Sequence, residues 1–354
     1  MNMLSKPRLI FWELTKRCNL QCIHCRAEAQ DGIIKNELGT DIVKKIIDDI
    51  ASFASPILVL TGGEPLFRED IFEVANYANG KKFHIALATN GTLINKDIAS
   101  KIKASGFKRV SISIDGKDKE SHDSFRGIAG SFDRALNGAM YLKEAGVDFQ
   151  FNTTITKRNV DELEEIIKLT EKTGALALHV FMLVPVGCGV NIAESEMLSR
   201  EKYEEVLGWL YNRMKTTNIE FKATCAPTYY RIIRQKAKEE GKSISVETDG
   251  MTAMTRGCLA GTGVCFISNT GNVQPCGYLP LIAGNATEKP FNEIWDNSPL
   301  FKELRDLGNL RGKCGACEYK TVCAGCRARA YYETGSHLDE EPYCIYIPKK
   351  YSLQ

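Results

Sequence analysis

The sequence predicts an α/β fold: a partial (βα)6 parallel barrel, followed by a smaller cysteine-rich C-terminal domain. Three observations point there. β-rich runs alternate with amphipathic helical runs from residue 8 to residue 185, the rhythm of parallel strands joined by right-handed crossovers. The polar motifs fall just after strands, at the edge where parallel α/β folds build their sites. The 13 cysteines are unevenly spread: positions 18, 22 and 25, then eight from 258 to 344, with only Cys188 and Cys225 between. An open doubly wound sheet is the alternative architecture.

RLIFWELT (8–15) reads as the first strand, running into the three-cysteine loop. DIVKKIIDDIASF (41–53) has helical spacing of its apolar residues. PILVLTGGEP (56–65) is a short strand ending in a glycine turn. IFEVANYA (71–78) is helical, FHIALATNG (83–91) is strand then turn, and KDIASKIKASG (96–106) is a helix with a glycine stop. RVSISIDG (109–116) is a strand, SFDRALNGAMYLKEAG (131–146) a helix and DFQFNTTIT (148–156) a strand. DELEEIIKLTEKTG (161–174) is a helix and ALHVFMLVP (177–185) the sixth strand. Residues 199–240 are charged and helical. The reading therefore divides the chain into a core with trailing helices (1–240), a polar linker (241–254) and a cysteine-dense domain (255–354). That last segment has few periodic stretches, so metal ligation is expected to supply stability its core does not.

Composition excludes several classes. Of 354 residues, 44% are hydrophobic and 25% charged, ordinary for a globular enzyme. A net charge of +2 gives no electrostatic reason for a nucleic-acid partner. The first residues lack a signal-peptide pattern. The most apolar stretch (175–190) is broken by His179, Pro185 and glycines, too short to span a bilayer. A cytoplasmic protein without a membrane span is expected, and there clustered cysteines point to metal or redox chemistry before disulfides.

Cys18, Cys22 and Cys25 lie within CNLQCIHC. Zinc completed by His24 or a distant residue is one reading. The second nearby cysteine pair of zinc knuckles is absent, however. Three thiolates also suit a cubane iron–sulfur cluster with one iron left open, since a full set is four.

This C-x3-C-x2-C loop after the first strand resembles the signature of the radical S-adenosylmethionine (SAM) superfamily. The resemblance implies that Cys18, Cys22 and Cys25 hold a [4Fe–4S] cluster, and that SAM fills the open position and is split to a 5′-deoxyadenosyl radical. Further motifs stand in the family's order over residues 8–185. It implies that Gly62, Gly63, Glu64 and Pro65 bind the SAM ammonium, and that Asn90 belongs to the turn closing the third strand. Ser113, Asp115, Asn152 and Thr154 would face the ribose hydroxyls, Arg126 the SAM carboxylate, and His24 and Val184 the adenine. For Arg126 a surface ion pair is the competing reading, and for Val184 plain core.

The tail, Cys258-x12-Gly271-x4-Cys276 followed by Cys314-x2-Cys317-x5-Cys323-x2-Cys326 and Cys344, is similar to the SPASM extension, which carries auxiliary [4Fe–4S] clusters. Two residues rather than three separate the last pair of the central four. By resemblance Cys258, Cys265, Cys276 and Cys326 hold one auxiliary cluster and Cys314, Cys317, Cys323 and Cys344 a second. One auxiliary cluster is the alternative, and two are favoured.

The stretches FWELTKRCNLQCIHCRAEA, FQFNTTIT, HVFMLVPVGCG, KATCAPTYYRI and GCLAGTGVCFISNTGNVQPCGYLP resemble the tetrapyrrole-modifying branch. They are nearest the enzymes of siroheme-dependent haem synthesis that oxidatively decarboxylate two propionates of iron-coproporphyrin III to vinyls. That implies a tetrapyrrole substrate, an auxiliary cluster as electron acceptor, and a donor such as ferredoxin or flavodoxin. Arg17, Arg26, Lys222 and Arg231 are candidate propionate partners. Cys188 and Cys225 sit in branch-like loops, but a small buried thiol is the commoner state of such residues. The alternatives are a d1-haem-type enzyme, a siroheme side-chain deacetylase, or a peptide-modifying maturase. The maturase usually needs an N-terminal peptide-binding domain, for which a first strand at residue 8 leaves no room. A non-enzymatic iron–sulfur or zinc scaffold is the remaining one, and the ordered SAM motifs oppose it.

Overall fold

A computed structural model describes residues 6–242, 244 and 256–350. The six strands expected in the first half all form: β1 (Leu9–Glu13), β2 (Ile57–Thr61), β3 (His84–Thr89), β4 (Arg109–Ser113), β5 (Phe149–Ile155) and β6 (Ala177–Met182). Between them run α1 (Thr40–Phe53), α2 (Ile71–Gly80), α3 (Lys96–Ala104), α4 (Lys119–Arg126), α5 (Ser131–Glu144) and α6 (Leu163–Thr173). Next come α7 (Ala193–Glu196), α8 (Arg200–Met214), β7 (Glu220–Thr224) and α9 (Thr228–Glu239). Apart from Gly241, Lys242 and Ile244, the expected linker 241–254 lies outside the described residues. The remainder holds β8 (Val264–Ile267), β9 (Asn272–Gln274), β10 (Gly284–Asn285), α10 (Phe291–Asn297), α11 (Pro299–Arg305), α12 (Gly312–Ala316) and α13 (Arg327–Thr334).

One sheet runs through the molecule in the order β10-β9-β8-β1-β2-β3-β4-β5-β6-β7. From β8 to β7 every pairing is parallel, while β9 and β10 add on antiparallel. The parallel α/β class is as expected, but it is wider than six strands. β7 extends it beyond β6, with Ala177 opposite Glu220. β8 extends it beyond β1, with Ile10 opposite Cys265. Both were missed for the same reason. EFKAT buries only Ala223 and shows no useful period, and VCFI is four residues long. Their partner strands, not their own patterns, make them strands.

The layers follow from periodicity. In α1, Val43, Ile46, Ile47 and Ile50 recur on one face and are buried, each contributing about 1.5–3 kcal/mol relative to exposure. In β3, Ile85, Leu87 and Thr89 are buried while Ala86 and Ala88, on the opposite face, are half-buried. That second face carries half-buried Ser111 and Ser113 on β4, Asn152 and Thr154 on β5, and His179 on β6. The concave side is therefore polar.

The C-terminal segment buries more core than expected. Phe291, Trp295 and Phe301 are fully buried in the main core. The Phe291 N–H donates to Asp49 of α1 at 2.5 Å, and its ring lies 6.4 Å from that of Phe53. Among the described residues no helix is long and apolar enough to cross a membrane.

Candidate functional site

The three-cysteine loop leaves β1 and folds back at once. The Cys18 N–H donates to the Gln30 carbonyl (3.0 Å) and the Cys25 N–H to the Cys22 carbonyl (3.1 Å). The far side is braced by the C-terminus of α4, a helix the sequence reading lacked: Gln21 and Ile23 N–H groups donate to the Arg126 and Phe125 carbonyls. Gly127 closes α4 at φ 75°, and a Cβ there would stand 2.4 Å from the Gln21 carbonyl. Only glycine lets helix end and loop approach this closely.

Donors surround the thiols. The Leu20 N–H reaches the Cys18 sulfur at 3.4 Å, the Ala29 N–H the Cys25 sulfur at 3.4 Å, and an Arg126 N–H the Cys22 sulfur at 3.6 Å. The Asn90 amide lies 3.7 Å from the Cys18 sulfur and donates to Asn19 at 2.9 Å. Burial pushes the Cys18 thiol up to about 12 and raises Cys22 as well, with Arg126 opposing the rise at Cys22. An isolated thiol here would stay protonated; ligation to a metal is what would ionise it. No three His, Cys, Asp or Glu side chains among the described residues converge on a single-ion site.

Arg126 is not a surface residue. It is 9% exposed, forms an ion pair with Asp115, and Asp115 is 1% exposed. Asp115 also accepts the Thr154 N–H (2.6 Å) and lies 3.5 Å from His24 Nε2. Burial keeps His24 neutral, an effect Arg126 reinforces, and its ring stacks on Phe125 at 4.1 Å. Two residues expected to face ligand thus face each other. His24 Nδ1 and Arg126 Nε remain buried without hydrogen-bond partners, so polar capacity is left beside the thiols.

The glycine turn after β2 is equally built in. Gly63 and Glu64 N–H groups donate to the Thr15 and Arg17 carbonyls at 2.7 Å each. A Cβ on Gly63 would sit 2.5 Å from the Arg17 carbonyl, and one on Gly62 2.5 Å from that of Thr15. Glu64, fully buried, accepts from the Thr89 hydroxyl and from the Asn90 and Leu66 N–H groups. Burial raises its carboxyl to about 7 against these donors. Its carboxylate ties β2, β3 and the turn together, with Pro65 starting the short helical turn beyond. Ser113 and Asn152 are opposite each other in the β4–β5 register, half-buried on the concave face. Val184 packs in a small cluster with Leu279, Cys326 and Ala328, against the C-terminal segment.

The tail thiols fall into two groups. Cys314, Cys317, Cys323 and Cys344 line one cavity together with Arg231, Lys313 and Lys320. Backbone N–H groups of Glu341, Tyr319 and Gly325 donate to the Cys314, Cys317 and Cys323 sulfurs at 3.3–3.4 Å. N–H···S bonds and nearby cations are what a negatively charged cluster needs. Arg231, considered for a propionate, is instead 3% exposed and paired with Glu204 at 2.6 Å. The second group is Cys276 and Cys326, in one apolar cluster with Cys225, and Cys258, whose N–H donates to the Cys323 carbonyl at 3.1 Å. Cys265 is elsewhere: it is fully buried in the main core, on β8 opposite Ile10.

A cavity of about 990 Å³ opens between the cluster loop and the C-terminal segment. Lys16, Arg26 and Lys35 line it together with Phe266, Tyr278 and Tyr331. Arg26 lies over the Phe266 ring at 4.6 Å and pairs with Glu13 at 2.6 Å. No carboxylate among the described residues pairs with Lys16 or Lys35, which the sequence reading did not single out. Of its other candidates, Arg17 stacks on Phe67 and Lys222 is exposed on β7. The cavity is at the top of the usual size range for ligand sites, and its wall combines aromatic rings with Lys16, Arg26 and Lys35 on one hand and Glu13 and Glu28 on the other.

The comparisons agree with this geometry. Residues 12–170 match the model of the Radical SAM superfamily, and residues 258–327 that of SPASM, an iron–sulfur cluster-binding domain. The chain is 53% identical to the AdoMet-dependent heme synthase of Methanosarcina barkeri, over 98% of this chain and 99% of that protein. It is 50% identical to the protein of that name from Nitratidesulfovibrio vulgaris, over 97% and 93%. Among solved structures, Streptococcus suis SuiB bound to its precursor peptide SuiA aligns with a TM-score of 0.77 at 20% identity, covering 98% of this chain and 77% of that one. At that identity the likeness is one of fold.

Proposed function

Because the chain belongs to the radical SAM superfamily and carries its SPASM-type cluster-binding segment, we propose that it is a haem synthase, converting two propionates of iron-coproporphyrin III to vinyl groups by oxidative decarboxylation. Near full-length likeness to heme synthases carries the reading. The aromatic-walled cavity beside the cluster loop, with Lys16, Arg26 and Lys35 in its lining, supports it.

The residues are assigned as follows. Cys18, Cys22 and Cys25 hold the SAM-binding cluster, braced by α4. Glu64 and Asp115 act as positioning residues: Glu64 accepts from Thr89 and Asn90, while Asp115 accepts the Thr154 N–H and forms an ion pair with Arg126. Ser113 and Asn152 are left for ribose hydroxyls, and the turn at Gly62, Gly63 and Pro65 for the amino-acid end of SAM. Asn90 bridges that turn to Cys18. Cys314, Cys317, Cys323 and Cys344 hold one auxiliary cluster; Cys258, Cys276 and Cys326 belong to another. The cluster held by Cys18, Cys22 and Cys25 would supply, with SAM, a 5′-deoxyadenosyl radical, and the tail thiols would hold clusters that could take up the electron left when a propionate loses a hydrogen atom and CO₂. Lys16, Arg26 and Lys35 orient the carboxylates, and Phe266, Tyr278 and Tyr331 exclude water from the ring. A ferredoxin or flavodoxin is the proposed electron donor.

The test is anaerobic incubation of cluster-loaded protein with SAM, a strong reductant and iron-coproporphyrin III, following tetrapyrrole mass and 5′-deoxyadenosine together. Stepwise loss of two carboxyl groups with matching deoxyadenosine is expected. Deoxyadenosine with an unaltered tetrapyrrole overturns the substrate assignment and leaves the radical chemistry standing.

A further inference from the structure

We infer that Cys225, which lies outside the SPASM segment, is the fourth thiolate of the auxiliary cluster held by Cys258, Cys276 and Cys326, and that Cys265 is not a ligand. The inference rests on the reading of the tail as a two-cluster segment.

Placement carries it. Cys225 follows β7 directly, at the site-forming edge of the parallel sheet. It packs with Cys276 against the small cluster that contains Cys326. The chain just after it packs on the segment carrying Cys258: a Cβ on Gly257 would lie 2.7 Å from both the Pro227 Cα and the Pro227 carbonyl. On its other side the Gly257 N–H donates to the Val322 carbonyl at 2.8 Å, and the Cys258 N–H to that of Cys323. Residues 225–227, 257–258 and 322–326 therefore meet at one place. Cys265, by contrast, points into the main core from β8, opposite Ile10.

Backbone geometry is a separate observation. Cys225 has φ 55°, a left-handed conformation that L-residues adopt at a cost and that clusters at functional sites. A core thiol has no need of it, whereas a ligand aimed from a strand end toward a fixed cluster does. On ligation each thiol gives its proton to solvent as the S–Fe bond forms. The cluster would then clamp the end of β7 and the start of α9 to the tail, joining barrel and C-terminal segment through metal bonds.

The experiment uses full-length protein in which Cys18, Cys22 and Cys25 are replaced by alanine, so that only auxiliary clusters remain. Iron and sulfide are counted and Mössbauer and EPR spectra recorded after anaerobic reconstitution. About eight iron atoms per chain are expected, four for each cubane. Adding Cys225→Ala should lower this to about seven or fewer, with a three-iron signal on oxidation or complete loss of one cubane. Adding Cys265→Ala should change neither count nor spectra. Should the alanine variant not fold, Cys225→Ser should keep the iron but alter the spectrum of one cubane. A parent-like count and spectra in the Cys225 variants, or the loss appearing with Cys265→Ala, overturns the inference. A parent with only about four irons overturns the two-cluster reading itself, and the inference with it.

Discussion

The Asp115–Arg126 pair gives a sharp test of how the cluster loop is held. Both side chains are buried, at 0% and 11% exposure, so the weak coupling of surface ion pairs does not apply. Asp115→Asn strands a guanidinium whose other contact is the Cys22 sulfur at 3.6 Å. Arg126→Met strands a carboxylate left with the Thr154 N–H and neutral His24. Each single change should cost about 3–5 kcal/mol, the usual penalty for an uncompensated buried charge. The double variant Asp115→Asn/Arg126→Met removes both charges, and the asparagine oxygen can still accept from Thr154. Its cost should be about 1–3 kcal/mol, less than either single change. Anaerobic denaturant unfolding of the four proteins, followed by circular dichroism, closes the cycle. A coupling of about 3 kcal/mol or more is expected; additivity within about 0.5 kcal/mol would refute a buried pair that braces the loop.

Glu64 should make stability depend on pH with a definite sign. Its carboxyl lies at about 7 in the fold against 4.5 ordinarily, so the folded state holds an extra proton between those values. Stability from this group is full below pH 4.5 and lost as pH rises through 7, by roughly 3 kcal/mol; Glu64→Gln should remove that slope, and an unchanged slope counts against it. Gly63→Ala drives a Cβ into the Arg17 and Lys16 carbonyls at 2.5 and 2.8 Å, which should cost about 1–3 kcal/mol and weaken SAM binding in equilibrium dialysis. Gly39→Ala, with no atom within 4 Å, is the control and should bind as wild type. Lys16→Ala and Lys35→Ala should each raise KM for iron-coproporphyrin III by about two- to five-fold at low salt, leaving kcat unchanged. Equal KM values would remove them from the carboxylate site.

The cavity also depends on the width of the sheet. β8 places Phe266 and the turn at Gly277 beside Arg26 of the cluster loop, whose guanidinium lies 3.5 Å from the Gly277 carbonyl. The C-terminal segment is thus a wall of the cavity. Its pairing with β1 sets the distance between the cluster loop and the tail thiols.

By itself the sequence determined the local features: six strands, the helices between them other than α4, and the three-cysteine loop. Each is written in a short window, as a period of two, a period of 3.6 or a fixed spacing. It also marked the residues that gather at the strand ends, because polar residues after apolar strands have one edge to go to. Tertiary structure decided who faces whom. Asp115 and Arg126 neutralise each other because two buried charges are cheaper together than apart. Glu64 spends its oxygens on Thr89, Asn90 and Leu66, partners up to 26 residues away. β7 and β8 exist only as neighbours of β6 and β1. Resemblance groups Cys265 with Cys258, Cys276 and Cys326, and on β8 the strand register turns Cys265 into the core. Cys225 packs with Cys276 against the cluster holding Cys326, and the chain after β7 meets a loop some thirty residues on, a contact that no local pattern encodes.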